Sequence, residues 1–360
     1  MSAMRSLSGS QDRSGRDQSQ LFRHHLTVWG TFEVIAGILG FAIFLLCAAT
    51  FVVVGYCLVC AREVRHPRRL STGWALALSR ASEPDSIDRD FHHWTLELED
   101  GTALPVWEAR IRSEAEGPST ATIVVLHGWG NSRTHSIERL EAVVESIQST
   151  AALRLIFFDL RGHGDASTGP TTLGIKELDD LGVLLETLPE EHPTLLMGHS
   201  LGAVLAIRAA ARWPKRINGV LALAPYRWII TPIRRTFALR EQPGVRLTGL
   251  IARLCTSREF MRVDTAEEAA HMPQPLEVLT GSDDPICPPE EGAQIAAHAS
   301  LGRFAAVESV KHSDLHQHAP QQLTEALQRL LKAAVAVDGA PPTSAQTPSE
   351  APRIRDASQD

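Results

Sequence analysis

The chain has 360 residues, 44% of them hydrophobic, and a net charge of −7. That is enough for one large α/β domain with appendages, and the acidic balance gives no reason to expect a nucleic-acid partner. Of the five cysteines, Cys47, Cys57 and Cys60 lie inside one apolar run, which excludes a disulfide framework and is compatible with a reducing compartment.

Met1–Gln20 is rich in Ser, Gln, Arg and Asp, and residues 1–33 are expected to form a disordered or juxtamembrane N-terminus. Val34–Cys60 then runs for 27 residues without a charge. As a helix it would be roughly 40 Å long, against a hydrocarbon core of about 30 Å. One transmembrane helix is therefore expected over 34–61, giving a single-pass membrane protein. A signal-peptide core is shorter, about 7–15 residues, and no small-x-small cleavage site follows. Arg62, Arg65, Arg68 and Arg69 crowd the carboxyl flank, whereas Arg16 and Arg23 are the nearest cations on the amino side. This bias favours a cytoplasmic catalytic domain. Residues 62–90 read as a polar linker, so a domain beginning near Ser82 is expected to be separable from the anchor.

Phe91–Glu99 alternates and meets Asp100-Gly101, a hairpin signal, with Thr102–Ile111 returning. Thr122–Leu126 and Leu153–Phe158 read as strands buried on both faces. Helical patterns over Ser136–Ile147 and Leu173–Leu188 alternate with them. Thr194–Met197, Gly219–Ala224, Leu276–Thr280 and Phe304–Val310 continue the strands. Ala203–Arg212, Glu290–Ala299 and Gln321–Val335 continue the helices. This order implies a mostly parallel sheet with right-handed crossovers, helices on both faces and an antiparallel N-terminal hairpin. Residues 225–274 break the rhythm with short amphipathic pieces and read as either a cap insertion or a covering helix with a long loop. Residues 337–360 are rich in Pro, Ser and Ala and are expected to be a disordered tail.

The chemistry centres on Gly198-His199-Ser200-Leu201-Gly202, which fits the G-x-S-x-G nucleophile elbow between a buried strand and an Ala-rich helix. Such a turn strains Ser200 and exposes its Oγ above a helix N-terminus that favours negative charge. A serine hydroxyl needs a base within hydrogen-bond reach, and the base needs an orienting carboxylate. Asp283 and Asp284, just past a late strand, are candidate acids; His312, His316 and His318, after the last strand, are candidate bases.

Four features occur in a telling order: His127-Gly128-Trp129-Gly130, Phe158-Asp159-Leu160-Arg161-Gly162-His163-Gly164, the elbow, and Gly281-Ser282-Asp283-Asp284-Pro285 followed by a late histidine. In them the chain from about Phe91 to Val335 resembles the α/β-hydrolase superfamily, nearest its serine esterase, lipase and aminopeptidase-like branches. The resemblance implies the α/β-hydrolase fold and a Ser200, Asp284, His312 triad, with Asp283 as reserve acid and His316 as reserve base. It implies an oxyanion hole from the backbone N–H groups of Leu201 and Trp129. His127 and His163 read as structural. His312 and His316 have i, i+4 spacing, but the Glu of His-Glu-x-x-His is absent, so no metal is expected. Gly162-His163-Gly164 lacks phosphate-loop spacing, and no cofactor is expected. The expected activity is hydrolysis of an ester, lipid-like because of the anchor, or of a thioester or amide, through an acyl-enzyme. The alternatives are an acyltransferase using the same triad and a non-catalytic binding protein of this fold.

Overall fold

The computed structural model describes residues 11–111, 121–148, 152–167, 169–242, 245–257, 260–338 and 354–356. The chain divides into two compact units, Met1–Leu58 and Val59–Asp360.

The first unit consists of most of one helix, α1 (Gln11–Arg65). Among the described residues α1 is the single helix long and apolar enough to cross a membrane, over Trp29–Arg65, and its residues up to Leu58 belong to this unit. Its apolar side chains face outward: Ile35 is 62%, Phe44 65% and Phe51 80% exposed. The helix begins at Gln11, so 11–33, expected to be disordered or juxtamembrane, is helical. Once an uncharged core nucleates a helix, each added residue fixes little more than its own dihedrals, and the polar flank follows. Met1–Ser10 lies outside the described residues.

The second unit is organised on a sheet. After α1 come α2 (Thr72–Ala77), β1 (His92–Glu97), β2 (Ala103–Ile111), β3 (Ala121–Leu126), α3 (Arg133–Gln148), β4 (Leu153–Phe158), α4 (Lys176–Glu186), β5 (Thr194–His199), α5 (Leu201–Arg212) and β6 (Gly219–Leu223). Then follow α6 (Ile230–Leu239), α7 (Thr248–Cys255), α8 (Thr265–Ala270), β7 (Leu276–Gly281), α9 (Pro289–His298), β8 (Gly302–Val307), α10 (Leu315–His318), α11 (Pro320–Asp338) and β9 (Ile354–Asp356). The sheet order is β8-β7-β6-β5-β3-β4-β2-β1-β9. β3 to β8 are parallel; β2 is antiparallel to both β1 and β4. Every residue of β3, β5, β6 and β7 is buried, which is why these strands are predominantly apolar rather than alternating. β8 is the edge strand and mostly exposed, and it starts two residues before the run Phe304–Val310 expected from sequence.

The segment 62–90 is not a linker. Arg69 donates to the carbonyls of Gly164 (3.1 Å) and His163 (3.4 Å), and the Thr72 hydroxyl donates to Asp165 (2.5 Å). Arg80 makes a two-pronged pair with Glu138 at 2.9 and 2.6 Å, and Val64, Pro67, Ala75 and Pro84 are buried. The partners of Arg69, Thr72 and Arg80 named here lie 58 to 95 positions away in sequence, so its polar composition hides that it is folded. In the expected tail, 339–353 and 357–360 lie outside the described residues, while β9 pairs antiparallel with β1.

Candidate active site

The carboxyl ends of β3, β5, β7 and β8 open toward one side of the sheet, where parallel α/β sheets bind ligands. The β5–α5 turn carries Ser200 at φ 54°, ψ −112°, a region L-residues rarely occupy and which costs on the order of 1–3 kcal/mol. The turn is held from outside: Ser200 N–H donates to Leu223 O at 2.8 Å on the neighbouring strand. It is also too tight for side chains on either flank. A Cβ at Gly198 would lie 2.2 Å from Gly202 O, and one at Gly202 would lie 2.3 Å from Leu126 O. Leu201 opens α5, so its N–H has no acceptor within the helix. The β3 loop approaches closely at Gly128, where a Cβ would stand 2.9 Å from His199 Nδ1 and 3.3 Å from Ser200 Cβ.

Asp284 and His312 meet through their side chains. Asp284 Oδ2 lies 2.7 Å from His312 Nδ1, while Oδ1 accepts the N–H groups of Ile286 and Cys287, both at 2.8 Å. The carboxylate is buried and the imidazole keeps 12% of its surface exposed. Because an ionised carboxylate only accepts, His312 Nδ1 carries the proton and Nε2 presents a lone pair. Asp283 points elsewhere: it is exposed, and its carboxylate accepts from the Ser282 hydroxyl at 3.0 Å. His316 lines a separate depression with Arg80, Glu138 and Glu141.

Ser200 and His312 line one cavity of ≈ 530 Å³ together with Trp129, Leu201 and Tyr226, a size suited to a small-molecule site. Its walls are mainly apolar: Leu173 comes from the β4–α4 loop, and Ile229, Ile233 and Phe237 from the 225–274 segment. The segment folds as α6, α7 and α8, and α6 with its flanking residues covers part of the site. The Trp129 side chain lines the cavity as well, and its indole N–H donates to Val64 O at 2.8 Å.

Several participants escaped sequence reasoning. His199, the middle residue of the elbow, has its Nε2 2.8 Å from the carbonyl of His312. The nitrogen must donate, so the ring fixes the backbone of the loop carrying His312. Burial holds His199 neutral, well below its usual range. Cys287 Sγ lies 4.0 Å from Ser200 Oγ, and burial pushes this thiol well up, keeping it protonated. Asp284, Cys287 and His312 bring donor atoms within 4.8 Å of one another. A metal would have to displace the Asp284–His312 bond and deprotonate a buried thiol, so the set does not fit one. The third surprise is that Val64, His66, Pro67 and Arg68 line the cavity; no local signal in a polar flank could announce a contact with residues so distant in sequence.

The histidines read as structural are bonded accordingly. His127 Nδ1 donates to Gly128 O at 2.9 Å, and its Nε2 accepts Leu160 N–H at 2.9 Å. His163 Nδ1 donates to Arg161 O at 2.9 Å. Asp159 accepts from Arg133 through backbone and guanidinium at 2.8 and 2.9 Å, and from Asp165 N–H at 2.8 Å, which ties the β4 loop to the start of α3.

Comparison with known proteins agrees with this architecture. Residues 123–327 match the model of the Alpha/beta hydrolase family. Among curated proteins, the biotin biosynthesis bifunctional protein BioHC of Cellvibrio japonicus is 26% identical over 257 residues, covering 60% of this chain and 49% of that protein. The lysophosphatidylserine lipase ABHD12 of Macaca fascicularis is 27% identical over 238 residues, 61% of this chain and 56% of that one. The chain thus spans about half the length of these relatives. The esterase Pf2001 of Pyrococcus furiosus superposes with a TM-score of 0.56 at 20% identity, over 76% of this chain and 98% of that one. With a family match over more than half its length and the sheet order described above, the chain belongs to the alpha/beta hydrolase family.

Proposed function

We propose that the protein is a membrane-anchored serine hydrolase that cleaves a carboxylic ester with a lipid-like acyl part, using Ser200, His312 and Asp284. The observation that carries this reading is the 2.7 Å Asp284–His312 pair bordering the cavity that also holds the strained Ser200. His312 Nε2 takes the hydroxyl proton as Ser200 Oγ attacks the ester carbonyl carbon. Asp284 holds the ring orientation and stabilises the imidazolium. The N–H groups of Leu201 and Trp129 receive the developing oxyanion. Collapse breaks the bond to the alcohol, which leaves with the proton from Nε2, and an acyl-enzyme remains. Water, deprotonated by the same nitrogen, repeats the sequence and frees the acid. A thioester or amide carbonyl is open to the same steps.

The exposed apolar surface of Trp29–Leu58 supports a single-pass anchor, and the arginines at 62–69 favour a cytoplasmic catalytic unit. The apolar cavity wall and the ester- and lipid-cleaving relatives support the substrate class. A fluorophosphonate probe should label the full chain in detergent, and Ser200→Ala should abolish labelling and lower turnover by about 10⁴–10⁶-fold with the fold intact. Undiminished labelling of that variant would remove Ser200 from the mechanism. Protease protection in sealed vesicles checks the sidedness.

A further inference from the structure

The end of α1 is built into the catalytic unit. The last four carbonyls of a helix lack intrahelical partners, and here the unit supplies donors to two of them and to Ala61 one residue earlier in the helix. Trp129 Nε1–H reaches Val64 O at 2.8 Å, Thr171 N–H reaches Arg65 O at 2.8 Å, and Cys255 S–H reaches Ala61 O at 3.6 Å. These donors come from the β3 loop, the β4–α4 loop and α7. Arg69 then fastens the outgoing chain to the carbonyls of His163 and Gly164. The stretch Glu63–Arg68 is thereby held as a wall of the cavity that contains Ser200.

This wall adds charge to a mainly apolar site. Several apolar lining residues are buried: Leu173 3%, Leu201 2% and Phe237 5% exposed. Arg68, from the wall, and Arg240, at the end of α6, line the same cavity and are exposed. Five arginines elsewhere in the unit are engaged by carboxylates: Arg133 by Asp159, Arg154 by Glu108, Arg161 by Asp180, Arg227 by Asp264 and Arg329 by Glu277. Among the described residues no carboxylate pairs with Arg68 or Arg240. Glu63 is the one acidic side chain on the lining, and it forms no ion pair with either of them. Buried apolar lining and two exposed arginines without a carboxylate partner on the same cavity suit a ligand that is apolar at the reacting end and anionic at the other. Guanidinium forks match phosphate oxygens in geometry as well as charge.

We infer that the substrate is an ester whose acyl chain occupies the apolar wall and whose alcohol part bears a phosphate held between Arg68 and Arg240. This rests on the hydrolase reading above and narrows it. The phosphate ester could be an amphiphile taken from a bilayer or a soluble molecule, and chain length separates the two.

The test compares kcat/KM of the full chain in detergent on four esters: long-chain acylglycerol phosphate and monoacylglycerol, and the butyryl esters of glycerol phosphate and of glycerol. The phosphate compound should be preferred over its uncharged match by about tenfold or more, mainly in KM, with the preference shrinking as salt rises. Preference within the long pair alone identifies an amphiphile; preference within both pairs admits a soluble substrate. Arg68→Gln and Arg240→Gln should each lower the ratio of phosphate to uncharged ester by about tenfold, and the double variant should erase it. Binding of dodecyl phosphate and dodecanol to Ser200→Ala gives a readout independent of turnover, with the phosphate binding more tightly and Arg240→Glu reversing the order. Equal handling of charged and uncharged esters, or ratios unmoved in the arginine variants, overturns the inference while leaving hydrolysis standing. Absence of hydrolysis of all four esters overturns the hydrolase reading, and equal binding of the two dodecyl probes then removes the phosphate site as well.

Discussion

At the scale of single residues, the site separates neighbours that look equivalent on paper. Asp283 and Asp284 are adjacent, yet only Asp284 is buried and bonded to His312, while Asp283 faces solvent beside Ser282. Asp284→Asn should therefore lower kcat by about 10⁴-fold, because the amide favours the wrong imidazole tautomer. Asp283→Asn should change it less than about threefold, and kinetics on a short soluble ester checks both. A reversed order would exchange the two roles. His199 offers a subtler case. Its Nε2–H fixes the carbonyl of His312, so His199→Phe keeps the ring volume but releases the loop that carries the base. A loss in kcat on the order of 10²-fold with little change in KM is expected, as for a misplacement of about 1 Å. An unchanged kcat would show that the loop is held without it.

At the scale of elements, the last turn of α1 belongs with the catalytic unit. Val64, Arg65 and Arg69 supply or find hydrogen bonds with two loops, and Val64, Pro67 and Ala75 are buried. A chain beginning at Ser82 should thus lose a cavity wall, leave the Trp129 indole N–H unpaired, and show a Tm many degrees lower with little short-ester activity. A chain beginning at Val59 should stay folded and active on the same ester. Thermal melts and ester kinetics on both chains check this, and equal behaviour would mean that 59–81 packs without consequence. The strands β3 to β7 were legible because each is a short, predominantly apolar run of strand length. β8 was misjudged by two residues at its start because an exposed edge strand has no burial pattern to mark its ends.

At the scale of the whole molecule, five histidines are depressed by burial. His127 and His199 lie well below their usual range, His163 and His316 are lowered, and His135 is pushed down to about 4. The unfolded chain binds protons at these sites near pH 6.5 while the fold refuses them. Their contribution is therefore present above about pH 6.5 and lost as pH falls toward the folded values. His135 alone contributes at most about 3 kcal/mol across that window. Asp159 and Asp180, raised to about 6 by burial, work in the opposite direction over part of it. With five groups against two, Tm should fall on acidification from pH 7 to 5, and His135→Gln should flatten the fall. Melting curves across that range check it; a Tm that rises toward pH 5 would contradict the balance.

The sequence by itself determined the apolar helix, the order of strands and helices, the elbow at Ser200 and the short set of acids and bases that could serve it. These are local features: a run of apolar residues, a period, a glycine pair around a serine. Tertiary structure brings Asp284, and not Asp283, against His312, and places His316 in a separate depression, because adjacent residues differ only in which way the chain turns after a strand. It also decided that Cys287 and His199 stand beside the triad candidates, and that the polar stretch after α1 closes the cavity. Such contacts join residues tens of positions apart, through carbonyls and guanidinium groups that every sequence possesses. Only the packing of loops around the ends of the sheet selects which of them meet.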